Sequence, residues 1–261
     1  MSSLPVVGAA MTLDEVELHR EWLFEKSRDL ELQSFIDAEV LNGDWAPLAA
    51  RARRLLDGHG GRLGIHGPFW GFTIASEDPD IRAIVTKRLL QGLDVCAAIG
   101  ATHMVIHSPY TSWSYNNLDD NAGAREALAE RTHMTLRDAV RRAEDIGCTM
   151  VIENIEDKDP HSRVALAESF QSPAVAVSID TGHAHYAHGY TGAPPVDYYG
   201  AARQNIYYCP SLALSAFAAL PLTPSSPRYR SGTSPRWGEE DSGGALLLPC
   251  SPRAGQGGAP S

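Results

Sequence analysis

Two stretches of the sequence decide the fold: residues 94–108, DVCAAIGATHMVIHS, and residues 139–154, AVRRAEDIGCTMVIEN. In each, a helix-like segment ends at a glycine, a small residue follows, and a short apolar run ends in polar residues. A continuous apolar, β-branched run is typical of a strand that is covered on both faces. The repeated layout therefore predicts helices alternating with the strands of a parallel sheet.

Similar apolar runs recur through the first 200 residues. The predicted strands are residues 5–9, 30–36, 62–66, 103–107, 149–153 and 174–180. Between them, Thr12 and Glu15 form a capping-box pattern that predicts a helix to about residue 28, and periodic apolar residues predict helices over 79–99 and 122–146. A single barrel takes roughly 250 residues. We therefore predict an α/β, TIM-type (β/α) barrel domain over residues 1–200, incomplete at about six βα units.

The composition changes after residue 200. Residues 201–261 contain 8 Pro, 7 Gly and 9 Ser, and they contain no His or Lys. Such a composition buries too little apolar surface to offset the entropy lost on ordering. We predict that residues 201–261 form a non-homologous, largely disordered tail, and we hypothesise that a frameshift or readthrough near Gly200 has replaced a different C-terminal sequence.

Charge and cysteine content narrow the cellular setting and the partners. The chain has 22 Lys and Arg against 32 Asp and Glu, and this acidic balance argues against nucleic acid as a partner. Its four cysteines form no CxxC pair, which favours a reducing, cytoplasmic setting. No stretch approaches the roughly 18 continuous apolar residues of a membrane span. We expect a cytoplasmic protein without a membrane partner, and homo-oligomer formation is left open.

Side chains able to bind a metal or move a proton stand where four of the predicted strands end. These residues are His66, His107, Glu153 followed by Asn154, and Asp180 followed by His183. The carboxyl ends of parallel barrel strands converge on one face, where barrel enzymes keep their active sites. Carboxylate and imidazole ligands suit Mn, Mg, Co or Zn. The sequence therefore predicts a divalent metal site on this face.

The same residues carry a resemblance to a known family. The motifs His66-Gly67-Pro68, Val105-Ile106-His107, Val151-Ile152-Glu153-Asn154 and Ile179-Asp180-Thr181-Gly182-His183 resemble strand-end motifs of the sugar phosphate isomerase/epimerase superfamily, whose fold is the xylose isomerase-like TIM barrel. The resemblance covers residues 5–190. It implies that Glu153 and Asp180 bind the metal and that His183 joins the metal or holds substrate. It also implies a later His and a closing Glu, which this sequence does not supply.

The resemblance implies that the chain is a metal-dependent isomerase or epimerase that acts on a ketose or sugar phosphate through an enediolate. The chain is inactive if the missing His and Glu are essential. Glu153 is the catalytic base, and Glu153, Asp180 and His183 are the metal ligands. The substrate-binding residues are His66, His107, Asn154 and Trp70, which with Phe72 forms an apolar wall for a small-molecule sugar. The simpler alternatives are a salt bridge from Glu153 to an Arg and a turn cap for Asp180.

Two other functions stay open. An endonuclease IV-like zinc phosphodiesterase would use His66 and His107 to hold additional zinc ions. A non-catalytic truncated barrel would bind metal weakly or not at all, and its open sheet edges would favour aggregation.

Overall fold

A parallel sheet forms the centre of the protein. The structure, a computed structural model, describes residues 7–187 and the backbone of residues 206–208. The strands are β1 Gly8–Met11, β2 Asp29–Leu32, β3 Leu63–His66, β4 His103–His107, β5 Thr149–Glu153, β6 Val175–Ser178 and β7 Ile206–Tyr208. They lie side by side in chain order and each neighbouring pair is parallel. This arrangement confirms the predicted TIM-barrel-like fold.

The strand β7 differs from the prediction. It lies in the segment that the sequence assigned to the tail, and it pairs in parallel with β6. A run of three residues, Ile206–Tyr208, is too short to give a sequence pattern, which is why it was not recognised. The predicted features of residues 188–205 and 209–261 lie outside the described residues.

Helices follow the strands along the chain. They are α1 Leu13–Glu25, α2 Ala38–Asn42, α3 Ala46–Leu55, α4 Pro79–Ile99, α5 Ser112–Asn117, α6 Ala124–Ile146, α7 Pro160–Ser169 and α8 Thr181–Ala187. The predicted capping box of Thr12 and Glu15 begins α1. Both long helices end at a glycine in the left-handed conformation, Gly100 and Gly147, where a Cβ atom would be strained. Among the helices of the described residues, none is long and apolar enough to cross a membrane.

The side chains of β4 and β5 point alternately into two different environments. Met104 and Met150 belong to the main core beneath the helices. Val105 and Val151 belong instead to a small separate cluster with Ala176. Successive side chains of a strand point to opposite faces. Side chains two residues further along β4 and β5 therefore face the same interior as Val105 and Val151, at the carboxyl end of the sheet.

Candidate metal centre

Three side chains from adjacent strands meet at this end of the interior. His66 ends β3, His107 ends β4 and Glu153 ends β5. One ligand atom of each lies within 4.8 Å of the other two. The register places His107 directly opposite Glu153, so the two side chains emerge at the same level. The sequence predicted that these strand ends would converge, and the structure brings these three together.

The hydrogen bonds of His66 orient its ring towards His107. Nδ1 of His66 lies 2.8 Å from the carbonyl oxygen of Gly67, to which only a protonated nitrogen can donate. In the neutral ring, Nε2 of His66 therefore carries the lone pair, and it lies 3.3 Å from Nε2 of His107. Metal-binding histidines are commonly held by such a bond from the distal N–H to a backbone carbonyl.

Gly67 allows the loop after β3 to run close to β4. Its N–H donates to the carbonyl oxygen of Val105 at 2.8 Å. A Cβ atom on Gly67 would lie 2.6 Å from that oxygen, closer than real Cβ contacts. A glycine is thus required at the residue whose carbonyl orients His66.

Both histidines are neutral at physiological pH. Burial lowers the pKa of His66 to about 4, and the nearby His183 acts in the same direction. Burial, followed by the charges of His66 and His183, lowers the pKa of His107 to about 2. A neutral imidazole offers a lone pair, which a metal ligand requires. The two rings therefore need no deprotonation to bind a cation at neutral pH.

Glu153 is 4% exposed. Burial is the main cause that raises its pKa well above the ordinary value, and the charges of Glu31 and Asp180 raise it further. The Arg163 guanidinium acts in the opposite direction with a smaller effect. Arg163 donates to Asp157 at 2.9 Å, and both side chains are buried.

The donor set of two neutral imidazoles and one carboxylate fits a divalent metal. His₂Glu is one of the ligand sets of catalytic zinc sites. A buried carboxylate beside other acids is costly in its charged form unless a cation is near. These properties of His66, His107 and Glu153 support a metal site here, and the side chains do not select one metal.

Asp180 and His183 were predicted to bind the metal with Glu153. In the structure, Oδ1 of Asp180 accepts a hydrogen bond from the His183 N–H at 2.6 Å, as a cap for α8. Within the described residues, the group whose ligand atoms lie within 4.8 Å consists of His66, His107 and Glu153, without Asp180 or His183. The charges of both nevertheless act on that group. Their ligand roles stay predictions.

Asn154 bonds to the backbone of a neighbouring segment. Its side-chain carbonyl accepts from the Asp180 N–H at 2.9 Å, and its side-chain amide donates to the Asp180 carbonyl at 2.8 Å. Asn154 is 1% exposed. The two bonds join the residue after β5 to the segment after β6, so Asn154 fixes the position of Asp180. Its predicted contact with substrate stays a prediction.

Aromatic rings cover the histidines. Phe69 stacks on His107 with ring centroids 4.2 Å apart and contacts His66 at 4.7 Å. Trp70, the predicted sugar wall, packs on Phe69 at 4.4 Å and is 45% exposed. Phe69 was not predicted as a site residue, although it stands three residues after His66 in a segment with Gly and Pro.

A cleft of about 160 Å³ opens beside His107, lined by Phe69, Phe72, Tyr110 and Ile155 among others. We call it the aromatic cleft. The loop after β3 thus contributes an apolar surface next to the histidines, with Phe72 as one of its residues. A sugar face could pack against such a surface.

Glu31 was also missed. It lies in β2, is 2% exposed, and accepts a hydrogen bond from the Gln33 side chain at 2.7 Å. Its charge is the second largest cause of the raised pKa of Glu153. An acid between two leucines of a short strand, DLEL, was the sequence feature that could have identified it.

Comparison with known proteins gives the relatives of the chain. The model of the xylose isomerase-like TIM barrel family matches residues 22–209. No curated protein matches the sequence. The TTHB071 protein from Thermus thermophilus, in a structure obtained by soaking with ZnCl₂, shares 28% identity over 69% of this chain and 68% of its own, with a TM-score of 0.54.

Two more distant structures share the fold. A D-tagatose 3-epimerase-like protein is 17% identical over 78% of this chain and 75% of its own, with a TM-score of 0.55. A xylose isomerase domain protein from Planctomyces limnophilus is 13% identical over 80% of this chain and 74% of its own, with a TM-score of 0.58. At these identities the likeness concerns the fold alone.

Proposed function

Since the chain belongs to the xylose isomerase-like TIM barrel family, we propose that it is a metal-dependent isomerase or epimerase of a small-molecule sugar, a ketose or sugar phosphate. The observation that carries the proposal is the buried group of His66, His107 and Glu153 beside the aromatic cleft. D-Tagatose 3-epimerase-like and D-psicose 3-epimerase structures share the fold, at 17% and 19% identity.

His66, His107 and Glu153 would hold the cation through Nε2 atoms and a carboxylate oxygen. A divalent metal bound there would polarise the carbonyl and hydroxyl oxygens of a sugar and lower the cost of removing the proton next to the carbonyl. In the metal-free protein, burial and the neighbouring acids raise the pKa of Glu153 above its ordinary value. A carboxylate held beside the substrate could take up and return the proton.

Epimerisation requires a second proton carrier on the other side of the sugar. Glu31 on β2 and Asp180 after β6 stand on either side of the three strands that carry His66, His107 and Glu153. Both carboxylates are near enough to raise the pKa of Glu153. We assign the second proton transfer to one of these two, and His183 donates a hydrogen bond to the oxygen that becomes negative.

The test is proton exchange. Purified protein is loaded separately with Mn²⁺, Mg²⁺, Co²⁺ and Zn²⁺ and incubated in D₂O with a panel of ketoses and their phosphates. Proton NMR then follows the signal next to the carbonyl. We expect metal-dependent loss of that signal, abolished in Glu153→Gln and retained in Glu130→Gln, whose side chain is exposed on α6. Exchange at the wild-type rate in Glu153→Gln would refute the assigned base.

A zinc phosphodiesterase of the endonuclease IV type is the second candidate. The observation in its favour is that His66 and His107 belong to the ligand group. Phosphodiester cleavage by this class of enzyme uses several zinc ions, which these two histidines could help to hold. Strand cleavage of abasic-site DNA, with more than one bound zinc and no sugar exchange, would replace our proposal by this one. If neither sugar exchange nor strand cleavage is detected, the non-catalytic truncated barrel is the remaining interpretation.

A further inference from the structure

A second cleft, of about 280 Å³, opens on the face that carries the metal-binding group. We call it the polar cleft. Its walls are the segments after β4 and β5, the two strands that end in His107 and Glu153. Tyr110 and Thr111 line both this cleft and the aromatic cleft. A molecule that extends from His107 through the aromatic cleft would therefore reach the polar cleft over these two residues.

The charges in the polar cleft balance. The Arg125 guanidinium donates to both carboxylate oxygens of Asp119, at 2.8 and 2.9 Å. Asp159 accepts from the backbone N–H of His161 and from the Ser162 hydroxyl, both at 3.0 Å. Lys158 supplies the second positive charge of the lining, and the buried Asp157 is already paired outside it. A cleft without net positive charge does not favour a phosphate dianion.

Among the described residues, two donors in the polar cleft have no protein acceptor. Within the described part of the chain, the Lys158 ammonium has no carboxylate partner and lies 5.5 Å from the centre of the Tyr115 ring. Tyr110 is 7% exposed, and in the same part of the chain its hydroxyl has no hydrogen-bond partner. Tyr115 is 55% exposed, so a large part of its side chain is accessible to solvent. The lining thus combines free donors, carboxylate acceptors and an aromatic face.

We propose that the polar cleft binds an uncharged sugar unit, so that the substrate is a glycoside whose reacting end lies at His107 and whose distal ring lies against Tyr115. A sugar ring presents hydroxyls that both donate and accept, and C–H faces that pack on aromatic rings. A volume of about 280 Å³ is close to the lower end of ligand pockets, which suits one ring. The position of the reacting end rests on the proposed function; the sugar unit in the polar cleft does not.

Calorimetric titration tests the proposal without turnover. The probes are a glycosyl-ketose disaccharide, the matching free ketose and the ketose phosphate, added to metal-loaded full-length protein. We expect the disaccharide to bind about tenfold more tightly than the free ketose. Tyr115→Ala and Lys158→Gln should each remove this advantage and leave the affinity for the free ketose unchanged. Trp113→Ala, an exposed aromatic residue on the same helix, should change neither affinity.

Three results would overturn the proposal: no disaccharide binding, equal affinity for disaccharide and ketose, or preference for the ketose phosphate that depends on Lys158. Proton exchange, measured in parallel, separates the two proposals. Disaccharide binding that depends on Tyr115 without any exchange would refute the isomerase and keep the sugar site. Proton exchange of the free ketose, without tighter binding of the disaccharide, would refute the sugar site in the polar cleft and keep the isomerase.

Discussion

Replacing Asn154 by Ala should destabilise the protein more than its single small side chain suggests. The substitution removes both side-chain bonds to the Asp180 backbone, at 2.9 and 2.8 Å, and Asn154 is only 1% exposed. It leaves a backbone N–H and a backbone carbonyl without these partners. Asp180 is partly buried, and each of its groups left unsatisfied costs at most about 1–3 kcal/mol, so the expected loss is at most roughly 2–6 kcal/mol. Domain stabilities are about 5–15 kcal/mol, so this loss is a large share of the total.

Urea unfolding of the metal-free protein measures this loss from the shift of the midpoint at constant slope. The matched control is Asn116→Ala, because Asn116 also donates from its side chain to a backbone carbonyl, that of Ser112 at 2.9 Å, but is exposed. The control should change the unfolding free energy by less than about 0.5 kcal/mol. Equal losses of unfolding free energy in the two variants would show that the Asn154 bonds do not hold the segment after β6.

Arg163→Met should lower the unfolding free energy, measured in urea, by about 3–5 kcal/mol, because Asp157 is left charged and buried without its partner at 2.9 Å. The double variant with Asp157→Leu should recover most of this loss. A double variant that recovers none of it would contradict an effect of the pairing. In the metal-free protein, the unfolding free energy should fall as the pH is lowered from 6.5 to about 4, because the unfolded chain takes up protons on His66 and His107 whose folded pKa values are about 4 and about 2. Glu153 opposes this fall in unfolding free energy, because its raised folded pKa makes the native state take up a proton at a higher pH than the unfolded chain does. Thermal unfolding over the same pH range should therefore show a steeper fall in Glu153→Gln than in the wild type. The same fall in both proteins would contradict the raised pKa.

The sequence predicted the strands and long helices best where several local features agreed. The bounds predicted for β4, β5 and α4 are those observed, because apolar runs and periodic apolar residues ended at clear glycine or polar positions. The strand β7 was missed because three residues carry no periodicity. Pairing with β6, rather than local pattern, identifies it as a strand.

The sequence also predicted which strand ends carry polar side chains, but not which of them meet. His66, His107 and Glu153 end their strands, whereas Asp180 lies two residues past the end of β6, where its side chain caps the next helix. Only the three-dimensional register distinguishes these positions. Phe69 was missed for a related reason, since its contact with His107 depends on the path of a loop.

A calorimetric titration of the metal-free protein with Zn²⁺ and with Mn²⁺ tests the proposed metal centre most directly. We expect one ion to be bound by His66, His107 and Glu153, and we expect the affinity to be at least about a hundredfold weaker in His107→Ala. His161→Ala, whose side chain is 76% exposed on α7, should bind as the wild type does. Wild-type affinity in His107→Ala, or no binding to the wild-type protein, would contradict the metal centre.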